Sequence, residues 1–246
     1  MQCVLKFLKS GKKFKKMKFD LKILNKKLIN NKNHFITIDG ITCSGKTLFA
    51  QILKKKLKNS LLISKDIFLL PRTKRIKITR SIGKKLIYTQ NSIHYDLAKL
   101  KSLIQFLING NKNNNFTLHN LYNRKNGMND LTQKFFHNPK KIIIFEGLYS
   151  NKDLVKIISP SVKILITENV YASLFRKIER IRDKKISIQN VVNEFTRIHL
   201  SSYIKYLKQN HFDYIFTDLK KNFVIAKNGK QKQIKEIKNF LAKHLN

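Results

Sequence analysis

The stretch Gly40-Ile41-Thr42-Cys43-Ser44-Gly45-Lys46-Thr47 constrains this chain more than any other, because it fits the pattern Gly-x-x-x-x-Gly-Lys-[Ser/Thr]. The apolar run from His34 to Asp39 ahead of it predicts a buried strand, and Leu48 to Leu53 behind it predicts the start of a helix. A strand that feeds a glycine turn and then a helix aims several backbone N–H groups, and the positive helix end, at one point. Such a point binds anions. Gly40 and Gly45 let the backbone curl where a Cβ would intrude. Lys46 is placed to reach the β- and γ-phosphates of a nucleoside triphosphate, and the Thr47 hydroxyl to hold Mg²⁺. Glycine is scarce, with 8 in 246 residues, so a chance match to all four fixed positions is rare.

From His34 onward, strand and helix patterns alternate, which predicts an α/β fold with a parallel sheet flanked by helices. Residues 34–246 read as one domain, and residues 1–33 as a basic extension with many lysines, no arginine and a single acid, Asp20. Leu21, Leu24 and Leu28 recur in the extension at helical spacing. A helix packed on the domain, a basic surface helix and a targeting presequence all stay open for it. Short apolar strands are expected at Leu61 to Ser64, Lys141 to Phe145, Val162 to Ile166 and Tyr214 to Phe216. Tyr95 to Ile108 is amphipathic and should stop at Gly110. Further helices are expected at Tyr171 to Ile181, Ile188 to Leu207 and Gln231 to His244. Phe116 to Tyr122 reads as an extended segment or hairpin, and Pro71 to Gln90 as a charged loop.

In open α/β sheets, ligands collect outside the carboxyl ends of the strands. Three strands here end in or beside an acid: Asp39, Asp66 and Glu146. Glu146 suits the metal side, opposite the Thr47 hydroxyl. Asp66 suits the acceptor side, because phosphorylating an alcohol needs a base near the hydroxyl. With 14 acids against 52 basic residues, an acid at a strand end is less readily an idle surface group. The remaining histidines show no metal-ligand spacing, and no Ser/His/Asp or Cys/His arrangement stands out.

Four segments lie in the order and at the approximate spacing of the uridine kinase/phosphoribulokinase family. They are the loop at Gly40 to Thr47, Ser64-Lys65-Asp66-Ile67-Phe68, Phe145-Glu146-Gly147-Leu148-Tyr149 and Leu174-Phe175-Arg176-Lys177-Ile178-Glu179-Arg180. The chain resembles that family over about Phe35 to Asp218. The resemblance implies a P-loop kinase fold with an arginine-bearing lid at about 172–190, ATP with Mg²⁺, and transfer of the γ-phosphate to a small-molecule hydroxyl. It implies that Asp66 is the general base, that Phe68 lies near the acceptor and that Asp96 faces the sugar. It places base reading within Phe116 to Arg124, where His119, Tyr122 and Arg124 are the candidate contacts. Arg176 and Arg180, four residues apart on one helical face, match the lid pair, and Arg182 is a third candidate on ATP. The chain departs from the family in having Leu69 where a tyrosine is common and in lacking a glycine at the end of the lid.

The expected activity is therefore ATP-dependent phosphorylation of an alcohol, with a nucleoside such as uridine or cytidine as the leading acceptor. Another sugar alcohol, pantothenate or nicotinamide riboside stays open within the same class. The alternative class is a degenerate P-loop protein that binds nucleotide or RNA through a basic surface. Composition bears on that choice, since the net charge is +38. Lysine outnumbers arginine about fivefold, and isoleucine and asparagine abound, which points to the codon bias of an AT-rich genome. A dedicated nucleic-acid surface draws more on arginine, so a nucleic-acid partner is the lesser expectation. No apolar run approaches the roughly 20 residues of a membrane span. Two cysteines do not make a disulfide framework, so a reducing, cytoplasmic setting is expected, with organellar targeting by the extension left open. Homo-oligomerisation is compatible with everything above.

Overall fold

The structure, a computed structural model, describes residues 35–57, 59–82, 91–110, 114–138, 142–154, 157–181, 187–219, 222–225 and 228–244. The basic extension, Arg182 and Asp183 lie outside the described residues.

In chain order the elements are β1 (Phe35–Gly40), α1 (Lys46–Lys56), β2 (Ser60–Ser64), a 3-10 turn (Lys65–Phe68) and α2 (Arg72–Ile82). A second 3-10 turn (Asn91–His94) leads into α3 (Leu97–Asn109), the hairpin strands β3 (Asn115–Tyr122) and β4 (Asn129–Phe136), then β5 (Ile142–Glu146) and α4 (Ser150–Leu154). There follow β6 (Val162–Thr167), α5 (Val170–Ile181), α6 (Ile188–Glu194), a π-turn (Phe195–Leu200), α7 (Ser201–Gln209), β7 (Tyr214–Leu219), β8 (Asn222–Ile225) and α8 (Gly229–His244). The main sheet runs β2-β5-β1-β6-β7-β8, and β3 with β4 forms a separate ribbon. Every pairing from β2 to β7 is parallel, and β8 closes the edge antiparallel to β7.

Side chains alternate across a strand with period two, so a strand buried on both faces is largely apolar. In β1 all six residues are buried, Phe35, Ile36 and Ile38 as apolar side chains and Thr37 and Asp39 as polar ones. Ile36 and Ile38 pack with Ile144 and Ile164 against Phe49, Ala50 and Leu53 of α1. Phe35 packs with Ile143 and Phe145 against Leu100, Leu103, Ile104 and Leu107 of α3, and the hairpin adds Leu118, Leu121 and Phe135 to the same cluster. A third cluster joins Leu165 to α5, the π-turn, α7 and α8. The expected parallel sheet flanked by helices is thus the observed architecture, and its central strand opens directly into the phosphate loop.

Two local expectations change. The charged loop expected from Pro71 to Gln90 contains helix α2 over Arg72–Ile82, while residues 83–90 lie outside the described residues. No glycine or proline interrupts this helix, and Arg75 anchors it, donating from Nε to the Leu70 carbonyl at 2.9 Å and from Nη2 to the Tyr122 hydroxyl at 2.8 Å. Arg72, Lys74, Ile76 and Lys77 are exposed, which is why no apolar stripe marks it in the sequence. The helix expected over Ile188 to Leu207 is continuous but passes through the π-turn at Phe195–Leu200. Gly110 does follow α3, though at φ −63° rather than in the left-handed region. A Cβ there would lie 2.6 Å from the Phe106 carbonyl and 2.8 Å from His137 Nδ1, so close packing is what requires glycine.

Candidate active site

The loop after β1 has the backbone that its glycines predict. Cys43 and Gly45 both have positive φ, 59° and 91°, and the Ser44 N–H turns back onto the Ile41 carbonyl at 3.1 Å. A Cβ on Gly40 would sit 2.5 Å from Ser44 Oγ and 2.6 Å from the Ile166 carbonyl, so only glycine passes. No side chain caps the N-terminus of α1, and its first turn carries no acid, which leaves the amides and the positive helix end for a ligand. Lys46 is buried and donates to the Ile41 carbonyl at 2.8 Å across the loop. Burial pushes its ammonium below the usual lysine range, and the carboxylates of Glu146 and Asp39 oppose that shift. The buried Ser44 hydroxyl has no hydrogen-bond partner among the described residues. A concave ring of donors with one orphaned hydroxyl suits phosphate oxygens.

Sheet register builds the metal side. Glu146 at the end of β5 pairs in register with Ile38 of β1 and with Ser64 of β2. Its carboxylate, 3% exposed, accepts from the Thr47 hydroxyl at 3.3 Å and from the Ser64 hydroxyl at 2.6 Å. Among the described residues there is no cluster of three or more His, Cys, Asp or Glu. One carboxylate beside one hydroxyl fits Mg²⁺, which keeps water and takes its other ligands from substrate phosphates.

The acceptor side is built on the 3-10 turn after β2. Asp66 lies on that turn, half-buried, and is ion-paired with Arg124 from the hairpin tip. The Tyr95 hydroxyl approaches Asp66 Oδ1 at 3.5 Å, from a segment bridged to Leu69. Of the three hairpin candidates, Arg124 is the one in contact with Asp66. Tyr122 is buried and accepts from Arg75, whose guanidinium lies 4.9 Å from its ring centroid. His119 is exposed and pairs with Thr132 across the ribbon at 3.2 Å. Phe68 is 1% exposed and belongs to the α3 core beneath the turn. Asp96 is half-buried and caps α3, its Oδ1 accepting from the Lys99 N–H at 3.0 Å.

Of the α5 arginines, Arg176 reaches the loop. Arg176 donates from Nη1 to Glu168 Oε2 at 2.6 Å and to the Cys43 carbonyl at 3.2 Å, which docks the helix on the phosphate loop. The charge of Arg180 acts on both Lys46 and Arg124, and that of Glu146 acts on both as well. Lys46, Glu146, Arg124 and Arg180 are therefore close enough for their charges to act on one another. Three groups in contact with this constellation escaped the sequence reading: Ser64 on Glu146, Tyr95 beside Asp66, and Glu168 under Arg176. Each owes its place to strand register or helix docking, and only Ser64 lies within a motif, which gave it no role.

No family model matches the sequence, and no curated protein matches it. Solved structures do. The YGR205w protein superposes with a TM-score of 0.58 at 17% identity, over 83% of this chain and 93% of that one. D-glycerate 3-kinase from Cryptococcus neoformans var. grubii gives 0.53 at 13%, over 78% and 88%. A candidate fructose transport system kinase from Silicibacter sp. TM1040 gives 0.50 at 15%, over 74% and 90%. The fold of this chain is that of P-loop small-molecule kinases, as the resemblance to the uridine kinase/phosphoribulokinase family implies.

Proposed function

We propose that this protein is an ATP-dependent small-molecule kinase that transfers the γ-phosphate of ATP, with Mg²⁺, to an alcohol, with a nucleoside such as uridine or cytidine as the leading acceptor. One observation carries the reading. The Gly40–Thr47 loop, the Thr47–Glu146 pair and Asp66 with its Arg124 partner gather at the carboxyl ends of the adjacent parallel strands β1, β5 and β2 of one sheet. The fold shared with two solved structures described as kinases supports it.

In this reading the loop amides and Lys46 bind the triphosphate, and Thr47 and Glu146 are the residues that hold Mg²⁺. The metal would neutralise charge on the β- and γ-phosphates. Asp66 accepts the proton of the acceptor hydroxyl. Its ion pair with Arg124 must open to admit that hydroxyl, which leaves Arg124 free to contact the acceptor. Phe68 supports the turn from below, and Asp96 holds α3 at the rim of the acceptor space. Tyr122 fixes α2 to the hairpin, while His119 lies on the outer strand face. Arg176 and Arg180 supply the cationic lid for the transferring phosphoryl group, and the resemblance assigns Arg182 to ATP. Most of the rate gain comes from positioning and fixed charge, as is general for phosphoryl transfer.

The test is ADP release measured with ATP and Mg²⁺ against a panel of nucleosides, sugar alcohols and hydroxy acids. Acceptor-stimulated release with a nucleoside is the expected outcome. Stimulation by a hydroxy acid alone would keep the kinase and replace its acceptor, and no stimulation by any member would remove the kinase.

A further inference from the structure

Two buried ionic groups, Asp39 and Lys65, take no part in the proposed transfer, and both converge on residues 147–154. Asp39 is wholly buried at the end of β1, one residue before the phosphate loop. Its carboxylate accepts from the Ser150 N–H at 2.9 Å, the Asn151 N–H at 2.8 Å and the Tyr206 hydroxyl at 2.8 Å. Ser150 reinforces this contact, its hydroxyl donating to the Ile38 carbonyl at 3.2 Å. From the other side comes Lys65, also wholly buried, one residue before Asp66. Its ammonium donates to the Leu148 carbonyl at 2.8 Å and pairs with the buried Asp153 at 2.5 Å. It also lies 4.1 Å from the ring centroid of Tyr95, the tyrosine beside Asp66. Gly147, which follows Glu146, rests on the Lys65 stem, and a Cβ there would lie 2.6 Å from Lys65 Cβ.

The phosphate loop, Asp66 and Glu146 thus each stand one residue from this set of contacts. A buried ion pair adds little stability over an apolar pair of similar volume, because desolvation offsets its attraction. What a hydrogen-bonded ionic contact adds is a fixed distance. Burial pushes the Lys65 ammonium below its usual range and the Asp39 carboxyl above its own, and both are held by the partners just named.

We propose that Lys65 and Asp39 are positioning residues that clamp residues 147–154 from two sides and so fix the spacing between the phosphate loop, Asp66 and Glu146. The proposal rests on the kinase reading, and its test separates the two. The variant Lys65→Met with Asp153→Leu replaces the pair by apolar groups and removes the donor to Leu148. It is expected to melt at or above the wild-type temperature and to bind ATP unchanged. Its kcat is expected to fall about 10²-fold, the cost of a misplacement near 1 Å, with the KM for ATP unmoved. Amide hydrogen exchange is expected to quicken together at residues 65–69 and 147–153. A stable double variant with wild-type kcat overturns the proposal, and so does exchange unchanged in either segment. Should the double variant not fold, Asp39→Asn carries the same test, since the amide NH₂ then faces at least one donor that a carboxylate oxygen accepted from. If the wild-type protein releases no ADP with any acceptor, the kinase reading falls, and hydrogen exchange alone decides the clamp.

Discussion

Lys46 and Asp66 divide the proposed chemistry between a buried cation and a half-buried anion, and their surroundings differ accordingly. Lys46 is held by the Ile41 carbonyl within its own loop, so replacing it disturbs the site and little else. Lys46→Ala is expected to keep the far-UV circular dichroism of the wild type and to lower acceptor-stimulated ADP release by about 10²–10³-fold, the usual loss of one preorganised donor. Asp66→Asn should leave ATP binding intact and reduce turnover by about 10²–10⁴-fold, the range for a general base. Unreduced turnover in the Asp66 variant would remove that residue from the proposed mechanism. Phe68 shows the limit of reading residues by motif. Its position in the sequence points to the acceptor, while its side chain is packed in the α3 core, because a 3-10 turn sends neighbouring residues to different sides.

The hairpin, α2 and the π-turn are the elements that the sequence disclosed least. Arg124 meets Asp66 only because the β3–β4 ribbon folds back over the turn after β2, a contact spanning 58 positions in sequence. The π-turn draws Glu194 and His199 together at 2.9 Å, with Lys177 of α5 on the same carboxylate at 3.1 Å. The His199 bond holds the Glu194 carboxyl at about 2, and burial pushes the His199 imidazole below its usual 6.5. Both shifts are depressions, so the unfolded chain binds protons first as pH falls. Stability is therefore expected to decline as pH drops through 6.5, when unfolded histidine charges, and to decline again below about 4.5 as the unfolded carboxyl protonates. Urea unfolding at pH 7.5, 5.5 and 3.5 checks this. A Glu194→Gln, His199→Gln double variant should show a shallower decline, and an unchanged one would sink the assignment.

At the scale of the whole molecule, the charge and the fold make separate statements. A net charge of +38 attracts any polyanion, ATP included, whatever its origin. The fold is that of enzymes built around a phosphate loop, and no helix among the described residues is long and apolar enough to cross a membrane. Non-specific attraction disappears with salt because it depends on counterion release. RNA binding, measured by filter retention, is expected to fall by about 10³-fold or more between 50 and 200 mM salt, as for any protein that neutralises several phosphates. Acceptor-stimulated ADP release should persist over the same range. Salt-resistant RNA binding together with absent turnover would favour the binding protein over the kinase.

The sequence by itself determined the phosphate loop, the parallel sheet and the strand-end acids at 39, 66 and 146. Those features depend on local rules: glycine where a Cβ cannot fit, a largely apolar run where a strand is covered on both faces, and a carboxylate where a strand emerges. Only the tertiary structure decided which basic residues meet which acids, as Arg124 meets Asp66 and Lys65 meets Asp153. The position of Lys65 beside Asp66 says nothing of its burial, yet it is sealed in because the Leu148 carbonyl and Asp153 arrive from the segment after β5, 83 and 88 positions away. Strand order, register and helix docking bring such groups together, and in a chain so rich in lysine no local pattern separates a buried ammonium from a solvated one.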